Sequence, residues 1–394
     1  MKIAFYSNFL NHHQLPFCIE MNRLLGEGFK FIATEPTHKE RLSMGYHDMN
    51  EQYEFCICSY KDDANYNLAL QIGADSDVVI IGSASDVFIK DRLINNKLTF
   101  RYSERLFKKG RWRILSPRTI RSLLFNHNRY KSKKLYMLCA SAYTSSDFAL
   151  ARAYLGKTYK WGYFPKVVKY DVDVLMTKKK HPFINLLWCG RFIDWKHPEL
   201  AIMVAQKLKE DGYLFNLTFI GNGPMEIQLK KLCERYSLKD CVEILGAMSP
   251  EKVREHMESA NIYLFTSDYN EGWGAVLNES MNSACAVVAS HAIGSVPFLI
   301  KNNENGLIYK NGDLENLIFQ VKRLIDDRDL QSRLGLNAYQ TMNDTWNAKI
   351  AAERLLVLSE TLIRGNRCDI YSYGPCSRAE LLKNGWWKGG INNE

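Results

Sequence analysis

Two glutamates eight positions apart, Glu271 and Glu279, enclose Gly272, Trp273 and Gly274 in the stretch NEGWGAVLNE. Upstream, NIYLFTSDY has the apolar run of a buried strand, and downstream AVLNESMNSA reads as a helix. The glycines therefore fall where a strand turns into a helix. Unsatisfied amides and the positive end of the helix dipole gather at such a turn, and glycine lets an anion approach the backbone. Carboxylates repel phosphate, so Glu271, at the mouth of the turn, and Glu279, expected in the second helical turn, are suited to hydroxyl groups. A ligand with phosphates in the middle and hydroxyls at both ends, a nucleotide sugar, meets both demands. Taken alone, the stretch reads equally well as a structural glycine turn with a solubilising surface glutamate.

Three further segments end strands in ways that bear on the same chemistry. LLWCGRFIDWKHPEL places Gly190 and Arg191 at a strand end and Lys196 just before a helix. Arginine offers a diphosphate a bidentate fork and lysine a point charge, whereas as an isolated pair they read as solvated charges. FIGNGPMEI sets Gly221, Asn222 and Gly223 in a tight turn, with Pro224 expected to open a helix. ILGAMSPEKV ends a strand at Gly246, Ala247 and Met248, a loop suited to lie against a ligand's base. Ser249 follows as N-cap and Pro250 as first helical residue.

In this order the four segments closely resemble glycosyltransferase family 4, the retaining, nucleotide-sugar-dependent enzymes of GT-B architecture. The match covers about residues 184 to 310. It rests on GRxxxxK (Gly190, Arg191, Lys196), G-x-G-P (Gly221 to Pro224), L-G-x6-V (Leu245, Gly246, Val253) and E-x7-E (Glu271, Glu279). The resemblance implies that Glu271 touches the transferred sugar and Glu279 the ribose. It implies that the backbone of Gly272, Trp273, Gly274, Ala275 and Val276 meets the diphosphate and sugar. Arg191 and Lys196 would then stabilise the departing nucleoside diphosphate, the main catalytic task. It also implies no protein nucleophile, with a donor phosphate oxygen taking the acceptor's proton, and no metal. Phe298 departs from the family, which carries a glutamate at that place. Asp171-Val172-Asp173 spells the metal motif of another glycosyltransferase fold, but in a stretch expected to be a linker.

The elements that must position these residues alternate along the chain. KIAFYS, FKFIATE, DVVIIG, LTFRYS and YMLCAS read as strands, with helices around QLPFCIEMNRLL, ANYNLALQIG and SSDFALARAYL. FINLLWCG, LFNLTFIG, CVEILG, IYLFTS, CAVVAS and NGLIY continue the series. Apolar strands between helices argue for parallel sheets covered on both faces. The expected fold is α/β, two doubly wound Rossmann-like domains facing a central cleft: 1–165 for the acceptor, 166–345 for the donor. A tail, 346–394, is helical at first and offers a further short helix around Trp386 and Trp387. The lysine-bearing stretch from Lys166 to Pro182 is expected to link the domains. With 394 residues, 46% of them hydrophobic, the chain has material for two cores. No window reaches ~18 uninterrupted apolar residues, and MKIAFYSNFL reads as a first strand rather than a signal peptide. The ten cysteines lack metal-ligand spacing and read as reduced core residues in a cytoplasmic protein.

For the acceptor, Asn11, His12 and His13 follow the first strand, and Arg101 and Glu104 lie at the end of the fifth. The paired histidines suit either a sugar or lipid phosphate, or a capping and packing role. His127 reads as a surface residue of a basic loop. Residues 101 to 134 hold twelve Lys or Arg and one acid, a net +11 against +9 for the whole chain, so everything else sums to −2. Trp112, Leu115, Leu124 and Phe125 interleave these charges. Such a segment suits an anionic bilayer, each cation contributing on the order of 1 kcal/mol; a solvated face without a partner is the plainer reading. The residues therefore point to a transferase on the cytoplasmic face of a membrane, acting on a glycan or lipid-linked acceptor in surface polysaccharide or glycolipid synthesis. A sugar-nucleotide epimerase of the same architecture is the rival enzyme. A non-catalytic nucleic-acid or anionic-surface binding protein is the rival outside enzymes, though no nucleic-acid motif accompanies the patch.

Overall fold

The computed structural model describes residues 1–38, 48–366, 369–383 and 385–388. Cys368 and the end of the tail from residue 389 lie outside the described residues. The chain forms two units: Met1–Lys166 with Trp346–Leu382, and Val167–Thr345 with the segment beginning at Lys383.

The first unit is built on seven parallel strands, β1 (Ile3–Ser7), β2 (Phe29–Ala33), β3 (Cys56–Cys58), β4 (Val78–Ile81), β5 (Thr99–Ser103), β6 (Leu135–Cys139) and β7 (Thr158–Lys160), in the order β3-β2-β1-β4-β5-β6-β7. The chain winds outwards twice from β1, the doubly wound pattern. Central strands are buried end to end, as parallel strands covered on both faces must be. Helix Ala348–Ile363 lies against helix Leu15–Leu25, and segment 376–379 joins the edge of β7, with Lys160 N–H donating to Ser377 O at 2.7 Å. The short β7 pairs in parallel with β6, and the returning segment covers its outer edge.

The second unit has six parallel strands, β8 (Ile184–Cys189), β9 (Phe215–Ile220), β10 (Val242–Ile244), β11 (Ile262–Phe265), β12 (Ala286–Ser290) and β13 (Leu307–Tyr309), in the order β10-β9-β8-β11-β12-β13. Its core packs Trp188, Phe192 and Phe219 beneath the helices. Together the units have the GT-B fold, two Rossmann-like parallel-sheet domains.

The stretch expected to link the domains is folded into the second unit. Asp171 caps helix Val172–Thr177, accepting from the amides of Asp173 (3.0 Å) and Val174 (3.2 Å). Leu175 packs on Ala284 and Tyr339. Lys179 is buried and donates to Ala260 O (2.6 Å) and Met257 O (3.0 Å), capping the end of helix Pro250–Ser259. Its lysines marked the stretch as a linker; carbonyls at a helix end take up the charge of Lys179 instead. The helix after Gly223 begins at Glu226 rather than at Pro224. The nine described cysteines are free and buried or half-buried.

Candidate functional site

The carboxyl ends of β8, β9, β10 and β11 bring the second-unit residues together. Glycine is what lets the first three strand ends meet. A Cβ on Gly221 would lie 1.9 Å from Gly190 O, and one on Gly223 2.5 Å from Phe192 O. The backbones are cross-tied at that distance: Gly190 N–H donates to Ile220 O (3.0 Å), Phe192 N–H to Asn222 O (2.7 Å) and Gly221 N–H to Gly246 O (2.8 Å). Asn222 and Ala247 are exposed, and Gly246 and Met248 half-buried. Ser249 caps the following helix as expected, accepting from Lys252 N–H at 3.4 Å.

At this rim Lys196 Nζ donates to Glu271 Oε2. Ser267 Oγ donates to the same oxygen at 3.1 Å. The whole Glu271 residue is only 8% exposed, so the acid is enclosed rather than standing at the mouth of the turn. Lys196 is the charge that makes this burial tolerable, and its Nζ also lies 4.8 Å over the Trp195 ring. Arg191 behaves differently: it is exposed and forms no ion pair among the described residues. The sequence set the two cations side by side as equals. Only one of them is committed within the protein.

The turn between the glutamates is held open from below. Trp273 is fully buried, donating through Nε1 to Asn278 Oδ1 at 2.9 Å, and Phe298 packs on it with ring centroids 6.4 Å apart. Phe298 thus supports the turn where the related family has an acid. Ser295 Oγ donates to Trp273 O at 2.5 Å, and Gly294 N–H to Glu271 O at 3.1 Å. The amides of Gly274, Ala275 and Val276 donate to no backbone carbonyl among the described residues. They are the donors an anion at this turn requires; Gly272 and Ala275 themselves are buried. Glu279 falls in the first turn of helix Val276–Asn282, one turn earlier than expected. Burial raises its carboxyl above the usual range, with Arg254 opposing.

Of the residues expected on the acceptor side, all but Arg101 form a cluster in the first unit. Asn11 Oδ1 accepts from the amides of His13 (3.0 Å) and Gln14 (3.1 Å), a cap on the turn that opens the first helix. His12 and His13 have ring centroids 3.6 Å apart, and His13 stacks on Tyr163. The Tyr163 hydroxyl donates to Glu104 Oε1 at 2.6 Å, and Lys108 donates to Glu104 Oε2 at 2.5 Å. Arg101 is engaged elsewhere: both arms of its guanidinium reach Asp86 at 2.7 Å. His127 is no surface residue. Its Nδ1 lies 2.7 Å from Tyr154 Oη beside Phe148, and burial, with Arg101 nearby, lowers its pKa to about 3, so the ring is neutral.

The basic segment divides in the same manner. Besides Arg101 and Lys108, Arg105 pairs with buried Asp147, and Lys133 and Lys134 donate to Ile94 O and Ile363 O at helix ends. Lys109, Arg113, Arg118, Arg121, Arg129 and Lys131 remain exposed, while the Arg111 side chain lies outside the described residues. Beside them Trp112 is 70% and Leu115 76% exposed, and Leu124 and Phe125 face out from helix Pro117–Asn126. Among the described residues no helix is long and apolar enough to cross a membrane.

Residues 177–341 match the family model described as glycosyl transferases group 1. The chain is 29% identical over 187 residues to the amylovoran biosynthesis glycosyltransferase AmsK of Erwinia amylovora, covering 46% of each chain. It is 28% identical over 170 residues to the alpha-D-kanosaminyltransferase of Streptomyces kanamyceticus, covering 43% of this chain and 44% of the relative. The matches thus span a little under half the length of these curated relatives. The fold is also that of Anabaena HepE, solved in complex with UDP, with a TM-score of 0.65 at 15% identity over 91% of this chain and all of that one.

Sequence reasoning missed Ser267, and it missed His197 and Asp268, which join the loops carrying Lys196 and Glu271. Polar residues between a strand and an E-x7-E motif were the available signal for Ser267 and Asp268. Nothing local marks His197.

Proposed function

We propose that this chain is a retaining glycosyltransferase that moves a sugar from a nucleotide-sugar donor to a glycan acceptor, lipid-linked, in polysaccharide or glycolipid synthesis. The observation that carries the reading is the enclosed Lys196–Glu271 pair beside the amides of Gly274 to Val276, which have no backbone acceptor among the described residues, with Arg191 exposed in the loop after β8. Amides and cations together suit a diphosphate, and the carboxylates suit the hydroxyls on either side of it. In this account Glu271 holds the transferred sugar and Glu279 the ribose. Lys196 bridges Glu271 and the phosphates, and Arg191 supplies charge as the nucleoside diphosphate departs. The Gly221–Gly223 turn and the loop Gly246–Met248 border the nucleoside. A panel of nucleotide sugars, screened by thermal stabilisation and by hydrolysis, tests the reading directly. Binding of none of them would sink it.

The proposal takes the reaction to be metal-independent, because it assigns charge neutralisation to Arg191 and Lys196. Donor hydrolysis is therefore expected to survive thorough chelation with EDTA. Loss of activity that manganese restores would turn attention to Asp171 and Asp173.

The exposed part of the basic segment is the proposed docking surface for the inner face of an anionic membrane. Vesicles rich in acidic lipid should sediment the protein and neutral vesicles should not. Binding should weaken steeply with salt as the Debye length falls from ~10 Å at 0.1 M to ~3 Å at 1 M. Replacing Lys109, Arg113, Arg118 and Arg121 together should abolish docking and spare donor hydrolysis. Trp112→Ala should weaken docking at high salt as well, since its contribution is apolar. Equal binding to both vesicle types, or preference for RNA in competition, would remove the membrane from the proposal.

A further inference from the structure

His197 follows Lys196 directly and begins helix Pro198–Glu210. Its backbone is left-handed, φ +50° and ψ +51°, a strained conformation for a residue with a side chain. Glycine would relieve the strain at that point. Histidine brings two nitrogen contacts: Nδ1 lies 2.9 Å from Glu199 Oε1, and Nε2 lies 3.6 Å from Asp268 Oδ2. Glu199 belongs to the helix that His197 opens, whereas Asp268 belongs to the loop after β11, three residues before Glu271.

Beside the Lys196–Glu271 pair itself, two hydrogen bonds tie that loop to the Lys196 segment. Asp268 N–H donates to Trp195 O at 3.0 Å, and Thr266 Oγ1 donates to Lys196 O at 2.7 Å. Glu271 N–H in turn donates to Asp268 O at 3.1 Å, so the position of Asp268 is passed straight to Glu271. Asp268 Oδ1 accepts from the Asn270 backbone amide at 2.7 Å, and Oδ2, which faces the imidazole, also accepts from Asn270 Nδ2 at 3.2 Å.

We propose that His197 is a positioning residue: by bridging Glu199 and Asp268 it clamps the loop that carries Glu271 against the loop that carries Lys196. The consequence for turnover rests on the donor-site reading above; the clamp itself does not. The Nδ1 contact is a hydrogen bond and the Nε2 contact, at 3.6 Å, an ion pair with a carboxylate, so the bridge needs the imidazolium. Asp268 and then Glu199 raise the His197 pKa from 6.5 to about 9, burial opposing. The charged groups that act on the ring are Glu199 on its own helix and Asp268 on the facing loop. Tyr309 of β13 faces Glu199. Because the folded-state pKa is raised, the stabilisation is complete below pH 6.5 and is lost as pH rises through about 9.

The test compares the wild-type chain with His197→Asn, Asp268→Asn and the double variant; asparagine tolerates the left-handed backbone. At pH 7.5 donor turnover in each single variant should fall about tenfold or more, as expected for a misplaced catalytic pair. The double variant should be no worse than either single one. The wild-type rate should decline through about pH 9, and this alkaline limb should be missing from His197→Asn. Hydrogen exchange of residues 266–275, read at pH 7.5 with no donor present, should be about tenfold faster in the variants. Wild-type turnover limits and exchange rates retained in His197→Asn would overturn the clamp. If the wild-type protein processes no nucleotide sugar, the functional proposal fails, and the exchange experiment still decides the clamp.

Discussion

Arg191→Ala and Lys196→Ala are each expected to lower donor turnover about a hundredfold, but to differ sharply in what they do to the fold. Losing one charged donor to a developing anion typically costs ~3 kcal/mol of transition-state stabilisation. Both side chains are assigned that task. Arg191 is exposed and has no ion-pair partner among the described residues, so its removal should leave stability within about 0.5 kcal/mol of wild type. Lys196 is the counter-charge of Glu271, with side chains 12% and 11% exposed. Deleting it strands a carboxylate in an enclosed site, which typically destabilises by about 3 kcal/mol. A Lys196→Ala, Glu271→Ala double variant should therefore regain most of the lost stability while remaining inactive. Thermal unfolding beside donor hydrolysis gives both readings. Near wild-type turnover in Arg191→Ala and Lys196→Ala would show that the cations do not face a diphosphate. Unchanged stability in Lys196→Ala would show that the ion pair does not support the fold.

A single methyl group at Gly274 is expected to be nearly as damaging. The residue has φ +82°, and an added Cβ would lie 2.3 Å from Phe265 Cζ and 3.2 Å from Glu271 Cγ. Phe265 is a buried residue of β11 in a close-packed interior, so either its ring or the turn must move. Left-handed backbone costs about 1 kcal/mol for a side chain, and forcing extra volume into packed surroundings a further ~1–3 kcal/mol. Gly274→Ala should thus unfold some 2–4 kcal/mol more easily. It should also lose donor affinity, because the displaced atoms include Glu271 and the neighbouring amides. Calorimetric titration with UDP and with other nucleoside diphosphates, together with denaturant unfolding, measures the two effects. Gly246→Ala is the control: an added Cβ meets nothing within 4 Å, so only the left-handed backbone, φ +76°, is penalised. Equal effects of the two substitutions would refute the packing argument.

Much of the architecture is legible in the chain because it is local. Buried parallel strands are runs such as VVII and AVVAS, and their alternation with helices announces the sheets without any contact being known. The glycines at strand ends are legible for the same reason: the backbone conformation they serve belongs to one or two residues. The E-x7-E and GRxxxxK spacings brought Glu271, Lys196 and Arg191 to one rim, since strands β8 and β11 are neighbours in a parallel sheet that exposes its loops at one end.

What the sequence could not decide is which charges are spent within the protein. Net charge is a sum and can be counted, whereas pairing depends on residues that meet only in three dimensions. Arg101 reads as a free cation at a strand end until Asp86, fifteen residues away, takes both arms of its fork. Lys179 reads as part of a solvated linker until the carbonyls ending helix Pro250–Ser259 bury it. His127 reads as a surface residue until Tyr154 and Phe148 enclose it. The outer edge of the seventh strand reads as open until residues 376–379 return to cover it. Composition and period thus determined the class of fold, and motif spacing named the polar residues that meet at one end of the second unit's sheet. Tertiary packing decided which of the two cations is locked to Glu271 and which stays exposed, because burying a charge requires a partner and only the folded chain supplies one.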